Sequence, residues 1–525
     1  MKENKRKRIE KYAAKSRRYK LLAYNRFFVV ALAVLLQSAL YFWMLFRLEN
    51  QKSVAVDIIV QIIACGFVLY LVSRTERLSS RTHWIVLLLF APIVGISLYL
   101  LFGGGIPTKR MAKKVLTEKA KTYESLVQSP TAMNAVKDCG RKGAICNYLS
   151  EFAHYPVSTD GTVDYYSSGE TLFEEMLAVA RTAKKFIFME YFILAGGKMW
   201  DRLRELLVEK ANEGVKVYII YDDFGSILNL PYGYEKYLEE LHPNIRCWVF
   251  NRVVPVFAGR MNNRDHRKIF VVDGEVAFTG GINIADEYVG ERLRFGHWKD
   301  SGVKLTGSSV NSFTAMFIAL WNAFRKDKIS VEDCLLPVCG EEKTDGFFVQ
   351  PYDDSPLDSL YTGSFVFLDM INTAKDYLYV FTPYLVLDDG LRSAFCAAAM
   401  RGVDVRIVTP SIPDKKMVFR LTRANYAALV RAGVKVYEYT PGFIHAKSMV
   451  SDGRAVVGSI NCDYRSLYLH FENAVLFGGC EAVEKVKQDA EQTFALSKKM
   501  EKADLRRTPL GKLIDAFLRL FETML

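Results

Sequence analysis

The stretch HRKIFVVD, residues 266–273, places a His, a Lys two positions on and an Asp five positions after that Lys. HAKSMVSD, residues 445–452, repeats the frame in a chain that has only 7 His among 525 residues. Apolar residues follow each Lys, which favours a β-strand in both copies. Side chains two apart on a strand point to the same face, so each His is predicted to project beside its Lys.

The residue types in this repeated frame suit chemistry on a phosphate. An ammonium group neutralises phosphoryl oxygens, and a neutral imidazole attacks phosphorus or transfers a proton. Two copies facing each other across a pseudo-twofold axis surround one anion with two His and two Lys. One His is then the nucleophile, and the other is acid and later base. This scheme needs no metal and no cofactor, and the scattered Cys, without a CxxC pair, predict no zinc site.

A small-residue element follows each copy. TGGIN covers residues 279–283, and VGSIN covers residues 457–461. Small residues let the backbone approach a ligand closely, and the amides of Asn283 and Asn461 can donate to phosphoryl oxygens. The first copy lacks the Ser hydroxyl of the second, which puts a role for that hydroxyl in doubt on that side.

From about residue 150 onward, strand-like apolar runs alternate with helical patterns, which predicts an α/β fold. The order strand, helix, strand, HxK strand occurs twice, so this region is predicted to be a duplication with halves at 150–335 and 346–525. A membrane region with a basic tail, 1–105, and a basic linker, 106–149, precede it. The strands are predicted in KKFIFMEYFIL (184–194), GVKVYIIYDD (214–223), DYLYVFTPYLV (376–386) and GVDVRIVTPS (402–411), with helices at 199–213 and from about 390.

The amino-terminal region predicts transmembrane helices. Residues 1–26 are rich in Lys and Arg, and mostly apolar stretches follow at 27–46, 54–73 and 84–102. The first is long enough to cross a bilayer and too long for a signal peptide. Basic residues prefer the cytosol, yet three crossings would put those of 106–121 outside. We therefore expect two true spans, a multi-pass protein of the cell membrane, and a cytoplasmic catalytic region.

These motifs resemble those of the phospholipase D superfamily, whose signature is HxKxxxxD followed by GSxN, usually in two copies. The resemblance covers about residues 150–525 and is closer to the bacterial cardiolipin synthases. It also rests on YLLFG (99–103), EYFIL (190–194), YDDFGS (221–226), TPY (382–384) and GSINCDYRS (458–466). The superfamily implies two α/β domains related by a pseudo-twofold axis, with a shared site and transfer through a phosphohistidine.

The resemblance to cardiolipin synthases implies that one phosphatidylglycerol loses glycerol as its phosphatidyl group bonds to a His. A second phosphatidylglycerol then attacks through its hydroxyl and gives cardiolipin. By analogy with relatives, His266 is the expected nucleophile and His445 the acid and then the base. The sequence leaves the reverse assignment open. Lys268, Lys447 and the two Asn are expected to hold phosphoryl oxygens.

Relatives orient each catalytic His with an acidic residue some way after the motif. Asp300 in HWKD and Glu472 in HFEN match, each in the half of the chain whose His it follows. His470, the first residue of HFEN, could line the site. The motif residues Asp273 and Asp452 end their strands on the parity opposite to His, and we interpret them as structural pairs for nearby cations.

The formal net charge of +12 indicates an anionic partner, either nucleic acid or a lipid surface. The resemblance and the apolar stretches favour phosphatidylglycerol and anionic membrane lipid, with no nucleic acid, and leave a homo-oligomer open. The alternative function is a membrane-tethered phosphodiesterase of the same fold, a lipid hydrolase or nuclease, in which water replaces the acceptor alcohol.

Overall fold

The computed structural model describes residues 35–36, 39, 51–73, 78–100, 109–137, 143–253, 262–338, 346–358 and 360–519. Its helices are α1 (Gln51–Ser73), α2 (Leu78–Phe90), α3 (Pro92–Leu98), α4 (Lys109–Tyr123), α5 (Pro130–Lys137), α6 (Ala144–Glu151), α7 (Gly169–Arg181), α8 (Lys198–Asn212), α9 (Asp223–Ser226), α10 (Tyr234–Glu239), α11 (Val310–Phe324), α12 (Thr362–Thr373), α13 (Asp389–Met400), α14 (Lys416–Ala432), α15 (Tyr464–Tyr468), α16 (Glu481–Ala495) and α17 (Pro509–Arg519). Its strands are β1 (Val163–Tyr166), β2 (Phe186–Tyr191), β3 (Lys216–Asp222), β4 (Ile245–Phe250), β5 (Lys268–Val272), β6 (Val276–Gly280), β7 (His297–Lys299), β8 (Gly302–Thr306), β9 (Phe348–Asp354), β10 (Tyr377–Phe381), β11 (Leu385–Val386), β12 (Asp404–Pro410), β13 (Lys435–Tyr439), β14 (Gly442–Ile444), β15 (Ser448–Ser451), β16 (Arg454–Gly458), β17 (Cys462–Asp463), β18 (Glu472–Gly478) and β19 (Ser497–Lys499).

Two large sheets of the same topology form the two halves. The first has the strand order β1-β8-β6-β5-β2-β3-β4. The second has the order β9-β18-β16-β15-β10-β12-β13, and β19 extends it beyond β13. In each sheet the strand that follows the motif His, β5 or β15, is antiparallel to β2 or β10, which is parallel to β3 or β12. The predicted duplication is therefore present as two halves with equivalent strand orders.

The apolar runs form strands because both faces of the sheets are covered. KKFIFMEYFIL contains β2, GVKVYIIYDD contains β3, and their counterparts in the second half contain β10 and β12. In β5, Ile269 and Val271 join the core that contains α11, whereas Phe270 and Val272 join the core that contains α7 and α8. A strand buried on both faces is apolar at successive positions, which is the pattern that the sequence shows.

Helix α11 lies between the two halves. Its residues from Val310 to Ala323 are all buried, and it contacts β2 and β5 of the first sheet and β9 of the second. A helix that is apolar on all sides belongs in an interior. The two halves therefore share one continuous core.

Backbone pairing also joins the halves. Strand β7 of the first half runs parallel to β14 of the second, with His297 opposite Gly442 and Lys299 opposite Ile444. A bridge between Asp265 and Phe471 is another such contact. Each contact places the residues just before a motif His beside the residues just before Asp300 or Glu472 of the opposite half.

The structure does not confirm the predicted membrane spans. The first, 27–46, lies almost wholly outside the described residues. The second coincides with α1, and the third is divided into α2 and α3 at Ala91, because Pro92 lacks an N–H and begins a new helix. Among the described residues, no helix is both long enough and apolar enough to cross a bilayer.

The segment predicted as a basic linker is packed against both halves, with α4 against α11 and α6 against β9 and α12. It contains α4, α5 and α6, and Val115, Tyr123 and Leu149 join the shared core. Lys119 of α4 forms a 2.8 Å ion pair with Asp353 of β9. These contacts anchor the segment and do not leave it as an extended connection.

Candidate active site

The two motif His residues lie where the halves meet. The backbone N–H of His266, just before β5, donates to the Phe471 carbonyl at 2.8 Å. The N–H of His445, between β14 and β15, donates to the Lys299 carbonyl at 2.7 Å. The strand prediction thus holds from Lys268 in the first motif and from Ser448 in the second, and each His lies before its strand, hydrogen-bonded to the backbone of the opposite half.

A carboxyl group of the opposite half contacts each imidazole. His266 Nδ1 lies 2.8 Å from Glu472 Oε2, and His445 Nδ1 lies 2.7 Å from Asp300 Oδ2. The sequence interpretation assigned each acid to the His that it follows in the chain, and that pairing is wrong. The physical reason is the backbone pairing between the halves, which places Phe471 against His266 and therefore Glu472 beside its ring.

Both imidazoles are neutral near pH 7. Burial, followed by the charge of Lys268, holds the pKa of His266 well below its ordinary value. Charges of His470, Lys447 and His445 act in the same direction. Burial and Lys447 lower the pKa of His445 to about 4, although Asp300 opposes this shift. A neutral imidazole whose Nδ1 bonds to an acid keeps a lone pair on Nε2 for attack or proton transfer.

The two motif ammonium groups are buried in the same place. Lys268 is 1% exposed and Lys447 is 3% exposed, and each donates to the carbonyl of the His two residues before it. Burial lowers the pKa of Lys268 to about 8 and that of Lys447 to about 7, with Glu472 and Asp300 as the leading opposing charges. A bound phosphate would raise the pKa of both Lys residues again, because an opposite charge favours the charged ammonium.

The two orienting carboxyl groups differ in ionisation. Burial opposes ionisation of Asp300, but the charges of His445 and Lys447 outweigh it and its pKa is lowered. Burial raises the pKa of Glu472 well above its ordinary value. Lys447 Nζ also lies 2.8 Å from His445 Nδ1, so it competes with Asp300 for that nitrogen. An ionised Asp300 favours a protonated His445, whereas Glu472 leaves His266 neutral.

The difference between GGIN and GSIN has a structural counterpart. Ser459 Oγ donates to Glu472 Oε2. At the matching position, a Cβ on Gly281 would lie 2.0 Å from Asp300 Oδ1, which is sterically forbidden. Asp300 instead accepts a hydrogen bond of 2.9 Å from the Ser301 N–H. The shorter acid, Asp300, is therefore combined with Gly281, whereas the longer acid, Glu472, is combined with Ser459.

The motif residues Asp273 and Asp452 are structural. The Asp273 carboxylate accepts the N–H groups of residues 184–186 at 2.7 to 2.8 Å. Asp452 accepts those of residues 375–377 at 2.6 to 3.2 Å. Both have a positive φ and precede a Gly of positive φ, a combination that suits a hairpin turn. Both carboxylates thus bind backbone amides, and the expected pairing with cations stays a prediction.

Asn283 and Asn461 are buried and bonded to protein groups. Asn283 accepts from the Ile193 N–H at 3.1 Å and donates to the Tyr288 hydroxyl at 2.7 Å. Asn461 donates to Ser466 Oγ at 3.1 Å. Because each side-chain amide carries two hydrogens, these bonds still allow one donation to a phosphoryl oxygen. That contact stays a prediction.

Arg267, the middle residue of HRK, was not singled out from the sequence. It is 3% exposed, and its Nε lies 2.6 Å from Glu190 and its Nη1 3.7 Å from Asp353 of the second half. The equivalent residue of the second motif is Ala446. Arg267 lies before β5, in the polar run RDHRK, so no pattern distinguished it, and its partners are distant in sequence.

His470 lies beside His266, with ring centroids 5.7 Å apart and its Nδ1 3.6 Å from Glu472 Oε1. These three residues offer ligand atoms within 4.8 Å of one another, a spacing that could suit a metal ion. Burial, followed by the charges of Arg465 and Arg264, holds the pKa of His470 well below its ordinary value. The same charges repel a cation, so the surroundings favour an anion.

Known proteins share these features. The family model described as "Cardiolipin synthase, PLD-like domain" matches residues 367–494, and "Phospholipase_D-nuclease N-terminal" matches residues 59–104. An uncharacterized protein of Streptococcus mutans is 40% identical over 467 residues, or 88% of this chain and 100% of that protein. A cardiolipin synthase of Geobacillus kaustophilus is 31% identical over 468 residues, or 87% of this chain and 92% of that enzyme.

Among solved structures, the phosphatidylserine synthase of Haemophilus influenzae matches with a TM-score of 0.55 at 13% identity, over 73% of this chain and 100% of that chain. This similarity shows a shared fold. Two α/β halves closed around paired His and Lys residues define a duplicated phospholipase D-like protein. The extent of its match to a cardiolipin synthase shows that the chain belongs to the cardiolipin synthase family.

Proposed function

We propose that the chain transfers a phosphatidyl group from one phosphatidylglycerol to another, which gives cardiolipin and glycerol. The observation that carries this proposal is the pair of neutral imidazoles, each oriented by an acid of the opposite half, with two buried ammonium groups beside them. Such a site can bind a phosphodiester and supply both a nucleophile and an acid–base group. The proposal gives nucleic acid no role.

In the first step, His266 Nε2 attacks the phosphorus of phosphatidylglycerol. His445, neutral in the free protein, takes up a proton from solvent as the anionic substrate binds. The P–O bond to the glycerol headgroup then breaks as the P–N bond forms, and His445 gives this proton to the departing oxygen. The anionic substrate and the ionised Asp300 both favour this protonated form of His445. Lys268 and Lys447 stabilise the charge that develops on the phosphoryl oxygens.

In the second step, the headgroup hydroxyl of another phosphatidylglycerol loses its proton to the now neutral His445. The alkoxide oxygen attacks phosphorus, the P–N bond breaks, and His266 is restored. The unequal acids support this division of roles, because the lowered pKa of Asp300 suits a group that must carry a proton and the raised pKa of Glu472 suits a neutral nucleophile.

The amino-terminal region is proposed to anchor the catalytic halves on the cytoplasmic side of the cell membrane through two spans. The basic residues of 1–26 and 106–121 support this orientation. Leu510, Leu513 and Phe517 of α17 expose apolar surface that suits a lipid interface. A carboxyl-terminal epitope tag should bind antibody in inverted membrane vesicles and not in right-side-out ones; the opposite result contradicts the topology.

The decisive experiment incubates the purified protein with phosphatidylglycerol in detergent and EDTA and resolves the products. Cardiolipin with free glycerol in equal amounts supports phosphatidyl transfer. Phosphatidic acid alone identifies a lipid hydrolase, in which water replaces the second lipid. Loss of activity in EDTA that is restored by a divalent metal contradicts the proposed chemistry.

A further inference from the structure

Beside His266, the structure contains polar groups that the transfer of the first phosphatidyl group does not use. Neither ring nitrogen of His470 has a hydrogen-bond partner within the part of the chain that the structure describes, and both nitrogens are buried. His470 precedes Glu472 by two residues, as Trp298 precedes Asp300. The ring of Trp298 lies 5.4 Å from that of His445, so His470 and Trp298 occupy equivalent places in the two halves.

Arg264 supplies a second group of this kind. The side chain is 1% exposed, its Nε lies 2.9 Å from Asp222, and its Nη2 donates to the Asn251 carbonyl at 2.7 Å. Its Nη1 is buried and has no hydrogen-bond partner among the described residues. The Arg264 carbonyl accepts the Phe471 N–H at 2.9 Å, which ties this residue to the segment that carries His470.

The charge around these groups is positive. The Arg465 carbonyl accepts the backbone N–H of His470 at 3.0 Å, which holds these two residues together. After burial, the charges of Arg465, Arg264, Lys268 and Lys415 all lower the pKa of His470. Of the neighbouring carboxyls, Asp222 pairs with Arg264 Nε and has a pKa that burial raises to about 6, and burial also raises the pKa of Asp463. Unpartnered donors in a positive environment call for an anionic ligand, since an unmade hydrogen bond and an unbalanced buried charge are both costly.

We propose that His470, Arg264 and Arg465 form a second anion subsite, which holds the phosphodiester of the acceptor phosphatidylglycerol. This inference rests on the proposed function. The acceptor's phosphate and its attacking hydroxyl are separated by one glycerol unit, so the phosphate must lie close to the reacting phosphorus. His470 is adjacent to the proposed nucleophile, which puts the subsite within that reach. At the equivalent place in the other half, Trp298 offers one buried N–H that cannot carry a charge, so the proposal assigns the acceptor phosphate to the His470 side.

The test compares two acceptors for one donor. Mixed micelles of phosphatidylglycerol with n-butanol yield cardiolipin from the charged acceptor and phosphatidylbutanol from the neutral one. In Arg465→Gln and in His470→Leu, we expect the ratio of cardiolipin to phosphatidylbutanol to fall roughly 10- to 100-fold, because a charge-assisted hydrogen bond to the acceptor is lost. Arg465→Lys should restore part of the ratio, since it retains the charge.

Arg406→Gln is the matched control, because Arg406 pairs with Asp404 on β12 and lies in the same half. Its product ratio should equal that of the unmodified protein. An unchanged ratio in both test variants, with both products reduced together, overturns the subsite while the proposed function stands. If the unmodified protein makes phosphatidylbutanol but no cardiolipin, the proposed function itself fails, and the subsite fails with it.

Discussion

The two halves share a topology but treat their catalytic His differently. The imidazole of His266 contacts Glu472, which accepts a hydrogen bond from Ser459. The imidazole of His445 contacts Asp300, which packs against Gly281. Burial dominates at Glu472 and raises its pKa, while neighbouring charges dominate at Asp300 and lower its pKa. The two halves therefore place similar motifs in unlike surroundings, and the proposed division into a nucleophile and an acid rests on this asymmetry.

The largest expected effect tests whether both halves act on one phosphodiester. His266→Ala and His445→Ala should each lower cardiolipin formation by roughly 10⁴-fold or more, because each removes a group that takes part in bond making or proton transfer. Phosphatidylglycerol labelled in its phosphate should leave acid-labile label on the His445→Ala protein and none on the His266→Ala protein. Label on the His266→Ala protein and none on the His445→Ala protein would make His445 the nucleophile and His266 the acid.

The next effect tests the crossed pairing of acids and His. Glu472→Gln and Asp300→Asn should each slow turnover roughly 10²- to 10³-fold, because an amide orients an imidazole less well and does not stabilise its charge. A donor lipid with a nitrophenol headgroup needs no acid for its departure. The rapid first release of nitrophenol from this donor should be as fast in Asp300→Asn as in the unmodified protein, because the partner of Asp300 is the proposed acid His445. The release should stay slow in Glu472→Gln. Restoration in Glu472→Gln alone contradicts the crossed pairing.

A smaller effect tests the Gly and Ser that accompany the acids. Gly281→Ser should lower turnover by tens of fold, because its Cβ would displace Asp300. Ser459→Gly removes one hydrogen bond to Glu472 and should cost roughly fivefold, the effect of about 1 kcal/mol. Thermal unfolding of both variants provides the folding control. Equal losses of activity in the two variants would show that the sides are interchangeable.

The effect that is smallest near pH 7, and grows as the pH rises, concerns the two buried Lys. Their charged forms bind phosphate, and their lowered pKa values mean that this charge is lost as pH rises through about 7 for Lys447 and about 8 for Lys268. We expect kcat/KM for phosphatidylglycerol to fall by up to about tenfold per pH unit above these values. Lys447→Arg should remove the lower of the two transitions, because Arg stays charged. A flat profile from pH 6 to 9 contradicts this assignment.

Much of the fold could be predicted from local patterns. The apolar runs of β2, β3, β10 and β12 were recognised because strands buried on both faces are apolar at successive positions. The structural role of the motif Asp residues was recognised from their parity, although their backbone partners were not. Arg267 was missed because Glu190 and Asp353 are separated from it in sequence, and no periodic pattern connects them.

By itself, the sequence determined that the chain is duplicated, that each half carries a His–Lys frame, and which acids were candidates to orient the His residues. Only the tertiary structure decided which acid serves which His and which side of the site carries His470. The reason is that strand periodicity acts between near neighbours in the chain. The contact of His266 with Glu472 joins residues 206 apart and depends on how the two halves dock.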